Sequence, residues 1–151
     1  MKKQAQIVPR MSVRNLQRKI AVHRAVLERF GDAAIACCVA EFGAALTSHE
    51  EIGVLLVSDR RIADLHRRFM DIPGPTDVIT FQHGEIFISV ETAQRQATVF
   101  ASSLEQELRL YLVHGLLHLQ GFDDRMPDAR RRMESAQKRI VAAAERTCRS
   151  H

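Results

Sequence analysis

The chain has few of the residue types on which several classes of protein depend. Its 151 residues include three cysteines, one tyrosine, no tryptophan, four prolines and seven glycines. Cys37 and Cys38 are adjacent and Cys148 lies near the end, so the sequence has neither a C-x-x-C motif nor a regular disulfide framework. It also has no low-complexity tract or internal repeat. These absences favour an ordinary globular domain with reduced, buried and inert cysteines that bind no metal.

Long apolar runs are also missing. Residues 1–6 lead into no hydrophobic segment of the kind found in signal peptides, and no run is long enough to cross a membrane. We therefore expect a cytoplasmic protein without a membrane partner. With 46% hydrophobic and 26% charged residues, the chain has the composition of soluble globular proteins. Its length predicts one domain over residues 1–151, large enough to bury a core.

Basic residues exceed acidic ones only slightly, but they are clustered. Lysine and arginine total 22 against 18 acidic residues, which gives a formal net charge of +4. The clusters fall in residues 1–30 and 125–139, and such patches attract polyanions. A solvated helix face is an equally good interpretation of Arg130-Arg131-Arg132. Because aromatic residues are scarce, we expect nucleic-acid backbone contacts rather than stacking on bases.

The most informative segment is His114–Asp124, where two histidines lie four residues apart in an apolar run. On a helix this spacing places both imidazoles on one face, about one turn apart. Gly121 predicts the end of that helix, after which the chain can fold back and bring Asp124 near the histidines. Three ligands without a fourth are typical of an open, catalytic metal site. We therefore predict that His114, His118 and Asp124 hold Zn²⁺, with Mn²⁺ as an alternative because a carboxylate favours harder ions.

Other interpretations of this segment remain open. Asp123 is a second candidate for the third ligand, or for a hydrogen-bond acceptor that orients a histidine. The offsets of four, seven and ten residues from His114 equal those of H-E-x-x-H-x-x-G-x-x-H peptidases. In those enzymes the glutamate is the general base, and Gly115 occupies its position here. Peptidase chemistry is therefore disfavoured.

Hydrophobic periodicity predicts an α+β domain with one mixed sheet of about four strands and about five helices. Strands are predicted at residues 12–17, 52–57, 77–81 and 85–90, the last two forming a hairpin around 82–84. Helices are predicted at residues 23–46, 59–70, 91–100, 103–120 and 127–145. Gly31-Asp32 can interrupt the first helix. In the second, Ile62, Leu65 and Phe69 are expected to face the core, and the His114 helix should be central.

Three motifs resemble those of the YbeY family of bacterial endoribonucleases, also called rRNA maturation factors. The family signature H-G-x-L-H-L-x-G-Y-D-H is matched from His114 to Asp123, with Phe122 in place of the tyrosine. Pro75–Phe81 resembles the family's P-T-D-V-[LI]-[ST]-F segment, and Gly84–Ser89 is similar to its G-[DE]-I-x-I-S segment. The motifs occur in the family's order. The resemblance extends from about Ile52 to Val141, and the preceding residues resemble the family only loosely.

The resemblance implies a metal-dependent endoribonuclease specific for single-stranded RNA. It further implies maturation of the 3′ end of small-subunit rRNA and ribosome quality control, with rRNA and the small ribosomal subunit as partners. Two positions depart from the family: its third metal-binding histidine falls on Asp124, and a common arginine falls on Met70. Arg68 is then a candidate catalytic residue, and Arg67 and Arg68 are candidates for binding RNA. A noncatalytic ribosome-assembly or RNA-binding factor with a structural metal is the alternative that these departures keep open.

Overall fold

The computed structural model describes residues 7–149. Lys2 and Lys3 of the N-terminal basic cluster, and His151, lie outside these residues. Along the chain the elements are β1 (Arg10–Asn15), α1 (Arg24–Phe42), a short 3-10 helix (Ala44–Ser48), β2 (Glu51–Val57), α2 (Asp59–Met70), β3 (Val78–Phe81), β4 (Glu85–Ser89), α3 (Val90–Val99), α4 (Leu104–Gln120) and α5 (Pro127–Arg149).

The four strands form one mixed sheet in the order β1-β2-β4-β3. β1, β2 and β4 are parallel, whereas β3 is antiparallel to β4 and forms the predicted hairpin with it. Gly84 closes this hairpin with a φ of 109°, a conformation that glycine adopts without strain. The predicted α+β class, with one mixed sheet and five α-helices in residues 7–149, is confirmed. None of those helices is both long and apolar enough to cross a bilayer.

Helices cover both faces of the sheet, but unequally. On one face α1, α3, α4 and α5 enclose the main core, which includes Ile86 of β4 and Leu116 of α4. On the other face α2 alone covers a smaller core built around Ile62, Ile79 and Phe87. Because both faces are covered, the central strands are buried on both sides and are almost wholly apolar. α4 is central, as predicted, and most of its residues are buried.

Two predictions about α1 and the cysteines need correction. α1 runs unbroken through Gly31, which is buried against Met11, so this glycine allows a close approach rather than a break. The helix ends at Phe42 because Gly43 adopts a φ of 96°, and the 3-10 helix follows. Of the three thiols only Cys38 is buried, and Cys37 and Cys148 are half-buried.

The prediction that Phe69 faces the core is wrong. Ile62, one turn into α2, is fully buried, but Phe69 in the last turn is 60% exposed. Asp71 follows in a left-handed conformation and ends the helix directly after Met70. Phe69 therefore lies at the margin of the smaller core, where its ring contacts the ring of Phe81 and most of its surface is exposed to solvent.

Hydrogen bonds to Asp59 join α2 to α3. Ser89 and Thr92 donate to its Oδ1 at 2.6 and 2.7 Å, and Arg95 donates to its Oδ2 at 2.6 Å. Burial raises the pKa of Asp59, but the hydrogen bonds from Arg95, Ser89 and Thr92 outweigh burial, so the net pKa is lowered. The carboxylate form of Asp59 therefore stabilises the attachment of α2, which has few other contacts with the helices.

Gly115 allows α4 to lie unusually close to β4. A Cβ atom at this position would lie 2.7 Å from Cγ2 and 2.8 Å from Cδ1 of Ile86. Ile86 is fully buried, and its branched side chain has little rotational freedom with which to move away. Gly115 therefore has a packing role at the position where the peptidases carry their glutamate.

We expect Gly115→Ala to lower the free energy of unfolding by about 1–2 kcal/mol. Overpacking against the fully buried Ile86 should fall in the upper part of the usual range of about 1–3 kcal/mol, and the better helix propensity of alanine returns about 1 kcal/mol. Gly53→Ala is the control, because a Cβ there meets only Ser12 Oγ at 3.6 Å. Urea denaturation measures both. A Gly115→Ala protein as stable as the wild type would contradict the packing role.

We expect Asp59→Asn to lower the free energy of unfolding at pH 7 by about 1–3 kcal/mol, because it removes charge-assisted hydrogen bonds. Since the folded pKa of Asp59 is lowered, its contribution is complete above the unfolded pKa of about 3.9 and is lost as the pH falls through the folded pKa. The difference from the wild type should therefore shrink below about pH 4.

Asp64→Asn is the matched control, because Asp64 is an exposed carboxylate on α2 that pairs with Arg68 at 3.6 Å. Such surface pairs contribute about 0–1 kcal/mol. Chemical denaturation across the pH range compares the three proteins. If Asp59→Asn lowers the free energy of unfolding by the same amount at pH 2 as at pH 7, the stabilisation does not come from the ionised Asp59 carboxylate.

Candidate metal centre

α4 and the turn after it position three candidate ligands. Ser103 caps the helix by accepting a hydrogen bond from the backbone N–H of Gln106. At the other end Gly121 adopts a φ of 107°, and the N–H of Phe122 donates to the carbonyl of Leu117. This left-handed turn reverses the chain and brings Asp124 beside the two histidines.

The three side chains converge on one point. Nε2 of His114 lies 3.1 Å from Nε2 of His118, and Oδ2 of Asp124 lies 3.6 and 3.9 Å from these two nitrogens. A triangle with these edges has one point about 2.1 Å from all three corners, which is the distance at which zinc binds such ligands. The donor set therefore fits a single ion, and the predicted ligands His114, His118 and Asp124 are brought together.

Both imidazoles are oriented by hydrogen bonds from their other nitrogen. Nδ1 of His114 donates to Oε1 of Gln137 on α5 at 2.9 Å, and Nδ1 of His118 donates to the carbonyl of Phe122 at 3.1 Å. A neutral imidazole has a single N–H, so each Nε2 is left with a lone pair. Two lone pairs that face each other at 3.1 Å repel unless a cation lies between them. The arrangement is therefore suited to binding a cation.

Burial favours the neutral form of His118. Desolvation and the adjacent His114 ring lower the pKa of His118, and the opposing effect of Asp124 is smaller. A histidine must be neutral to bind a metal. Around neutral pH, His118 is therefore already in the form that a ligand needs.

Asp123 does not take either role considered for it in the sequence. Its carboxylate accepts hydrogen bonds from the backbone N–H, Nε and a terminal nitrogen of Arg125, at 2.9 to 3.2 Å. These bonds lower the pKa of Asp123 to about 2. Its hydrogen bonds go to Arg125 rather than to a histidine, and it is not part of the three-ligand group.

Two of the three candidate ligands line an open cleft. His118 and Asp124 line it together with Gln82 of the hairpin turn and Arg125. Both histidines are partly exposed, and Asp124 is more so. The cleft is therefore accessible to water and to an extended substrate, as a catalytic metal site requires.

The candidate arginines lie on α2, whose side chains pack on the other face of the sheet. Arg68 forms an ion pair with Asp64 at 3.6 Å, and its guanidinium lies 5.9 Å from the centre of the Phe69 ring. Arg67 lines a separate cleft on the outer side of α2. Among residues 7–149 no contact joins either arginine to the three ligands. Their roles in catalysis and in RNA binding stay predictions, and Met70 is also exposed on this helix.

Two residues near the ligands were not identified from the sequence. Gln137 orients His114 from 23 positions away along the chain, and Gln82 lies in the turn of the hairpin. The segment around Gln137 has the helical pattern of an ordinary packing helix. No local signal distinguishes this glutamine, because its role depends on how α5 crosses α4.

Known proteins are similar to this chain in both sequence and structure. A protein of Thermobifida fusca named endoribonuclease YbeY is 37% identical, over 64% of this chain and 74% of that protein. One of the same name from Beutenbergia cavernae is 36% identical, over 60% of this chain and 72% of its own. The solution structure of TM1509 from Thermotoga maritima superimposes with a TM-score of 0.65 and 26% identity, covering 93% of this chain and 92% of the other.

The sequence profile described as endoribonuclease YbeY matches residues 12–145. That range begins inside β1, ends inside α5 and includes all three candidate ligands. It therefore covers nearly all of the fold rather than the histidine motif alone. On this match, the chain belongs to the YbeY family.

Proposed function

We propose that this protein is a metal-dependent endoribonuclease that cleaves single-stranded RNA. Membership of a family described as endoribonuclease YbeY supports the reaction class. The observation that carries metal dependence is the convergence of His114, His118 and Asp124, with both Nδ1 atoms already hydrogen-bonded. Zn²⁺ is the ion that best suits two imidazoles and one carboxylate, and Mn²⁺ is the alternative.

The side chains of this chain hold and orient the ion. His114 and His118 bind through Nε2, and Asp124 binds through a carboxylate oxygen. Gln137 and the Phe122 carbonyl fix the two rings, as acceptors behind metal-binding histidines generally do. When bound, the ion supplies a Lewis acid that lowers the pKa of water and stabilises negative charge developing on a phosphate.

The RNA strand is proposed to be held by contacts with its phosphates. Arg67 and Arg68 are our candidates for these contacts, and Arg68 is our candidate for stabilising charge at the scissile phosphate. α2 and α4 pack on opposite faces of the sheet, and a strand that reaches both can pass the edge formed by β3. A flexible single strand can follow such a path more readily than a duplex.

The biological setting is proposed from the family. We infer that the substrate is rRNA, with the 3′ end of the small-subunit RNA as the cleavage target. The small ribosomal subunit is then the partner, and the protein acts in the cytoplasm in rRNA processing and ribosome quality control. The whole chain, residues 1–151, is proposed to work as one catalytic domain.

We expect the purified protein to retain about one equivalent of metal after dialysis, and His118→Ala to retain almost none. Removing the orienting acceptor with Gln137→Leu should weaken metal affinity about 10–100-fold, whereas Gln137→Glu should preserve it. Elemental analysis and competition with a zinc chelator measure these effects. His23→Ala is the control, because His23 is an exposed histidine at the start of α1. Equal metal content in His118→Ala and the wild type would reject the site.

We expect the metal-loaded protein to cleave a single-stranded RNA oligonucleotide, and a chelator to abolish cleavage. A folded His118→Ala protein, purified in the same way, should be at least about 100-fold slower because it lacks one of three ligands. The products are resolved on denaturing gels beside the corresponding RNA duplex. Negligible cleavage in every sample, with metal still bound and RNA still retained, would instead favour the noncatalytic RNA-binding factor.

A further inference from the structure

A cluster of aromatic rings lies exposed at the tip of the hairpin. The rings of Phe69 and Phe81 are 5.2 Å apart in an edge-to-face arrangement, and His83 is stacked on Phe81 at 5.8 Å with an interplanar angle of 19°. Phe69 is 60% exposed and the side chain of His83 is 65% exposed. We call Phe69, Phe81 and His83 the aromatic platform.

The platform is held on a rigid base. Phe81 packs edge-to-face on Phe87 of β4 at 5.6 Å, and Phe87 belongs to the smaller core. His83 is fixed by Glu85 through a contact of 2.5 Å between Nε2 and Oε1. The outer rings, Phe69 and His83, are thus pre-positioned while much of their surface stays in water. Pre-positioned rings bind a flat ligand with little loss of conformational freedom.

The platform adjoins the cleft of the candidate metal centre. Gln82, which lies between Phe81 and His83 in the chain, lines that cleft together with His118 and Asp124. Phe81 and His83 are the chain neighbours of Gln82, so their Cα atoms lie about 3.8 Å from the Cα atom of a residue that lines the cleft. A strand of RNA in the cleft can therefore reach the platform with a neighbouring nucleotide.

The arginines of α2 outnumber the carboxylates found at the platform, which are Glu85 against His83 and Asp64 against Arg68. The Arg68 guanidinium lies over the Phe69 ring. Arg60, Arg61 and Arg67 line the cleft on the outer side of α2, and none of their guanidinium groups has an ion-pair or hydrogen-bond partner within residues 7–149. Exposed rings beside an arginine-rich helix suit single-stranded nucleic acid, in which bases stack and phosphates pair with cations.

We propose that the aromatic platform binds a base of the single-stranded RNA by stacking, while the arginines of α2 hold the adjoining phosphates. This proposal rests on the proposed function for the identity of the ligand, and it adds a base-binding subsite beside the metal centre. It adds stacking to the backbone contacts that the scarcity of aromatic residues led us to expect. Three aromatic side chains suffice because the hairpin and α2 bring them together.

The test is RNA binding in the presence of a chelator, so that the strand is not cleaved. One probe is a 12-nucleotide single-stranded RNA that contains 2-aminopurine, whose fluorescence falls when it stacks, and the second is the same backbone with abasic sites throughout. Phe69→Leu keeps apolar volume but removes the ring. We expect it to weaken binding of the first probe about fivefold or more and to reduce quenching, with no change for the abasic probe.

Phe100→Leu is the matched control, because Phe100 is 68% exposed at the end of α3 and does not belong to the platform. It should bind both probes like the wild type. His83→Ala serves as a second test in case Phe69→Leu is misfolded, and it should again weaken only the base-containing probe. Phe69→Leu and His83→Ala proteins with wild-type affinity and quenching would overturn the proposal and leave the rings as a protein-docking surface.

The RNA-binding test of the platform and the cleavage test of the proposed function can give independent results. If RNA binding depends on the rings of Phe69 and His83 but the protein does not cleave RNA in the presence of metal ions, the platform is supported and the nuclease function is contradicted. Cleavage that depends on His118, with binding independent of Phe69 and His83, would support the nuclease and reject the platform.

Discussion

The close packing of α4 on β4 is the constraint on which the fold and the candidate site both depend. Gly115 lets the helix approach Ile86 so closely that no side chain fits between them. Because the helix is fixed at Gly115, the directions in which the neighbouring side chains of α4 point are fixed as well. His114 and His118 then lie on the open side of α4, where α5 and the turn after Gly121 can reach them. Gly115, which stands where the peptidases have their glutamate base, thus positions the helix face that carries the candidate metal ligands.

Hydrogen bonding, rather than proximity alone, gives the three ligands their chemical character. Each imidazole uses its one N–H on an oxygen acceptor, which leaves two lone pairs facing each other at 3.1 Å. Burial, with the neighbouring ring, keeps His118 neutral, and Asp124 supplies the negative charge that a divalent ion requires. The carboxylate of Asp123 is hydrogen-bonded to Arg125. Hydrogen bonding therefore leaves Asp124, and not the adjacent Asp123, available as the third candidate ligand.

The sheet separates the candidate metal ligands from the candidate RNA-binding arginines. The candidate ligands belong to the face covered by α4, while the basic side chains belong to α2 on the other face. The edge at β3 and its turn to β4 lies between the two. That edge carries Gln82 on the metal cleft and the rings of Phe81 and His83 beside it. A substrate that is long, flexible and negatively charged suits this layout better than a compact one.

Sequence alone determined the features that depend on spacing along the chain. The four-residue interval between His114 and His118, the helix end at Gly121 and the alternation of helices and strands are local, and they predicted the fold class, the family and the three ligands. Tertiary structure decided what depends on distant contacts. These are the acceptor role of Gln137, the unbroken α1 at Gly31, and the exposure of Phe69 at the end of α2. The reason is that periodicity fixes which face of a helix is apolar, whereas only packing fixes where that face ends.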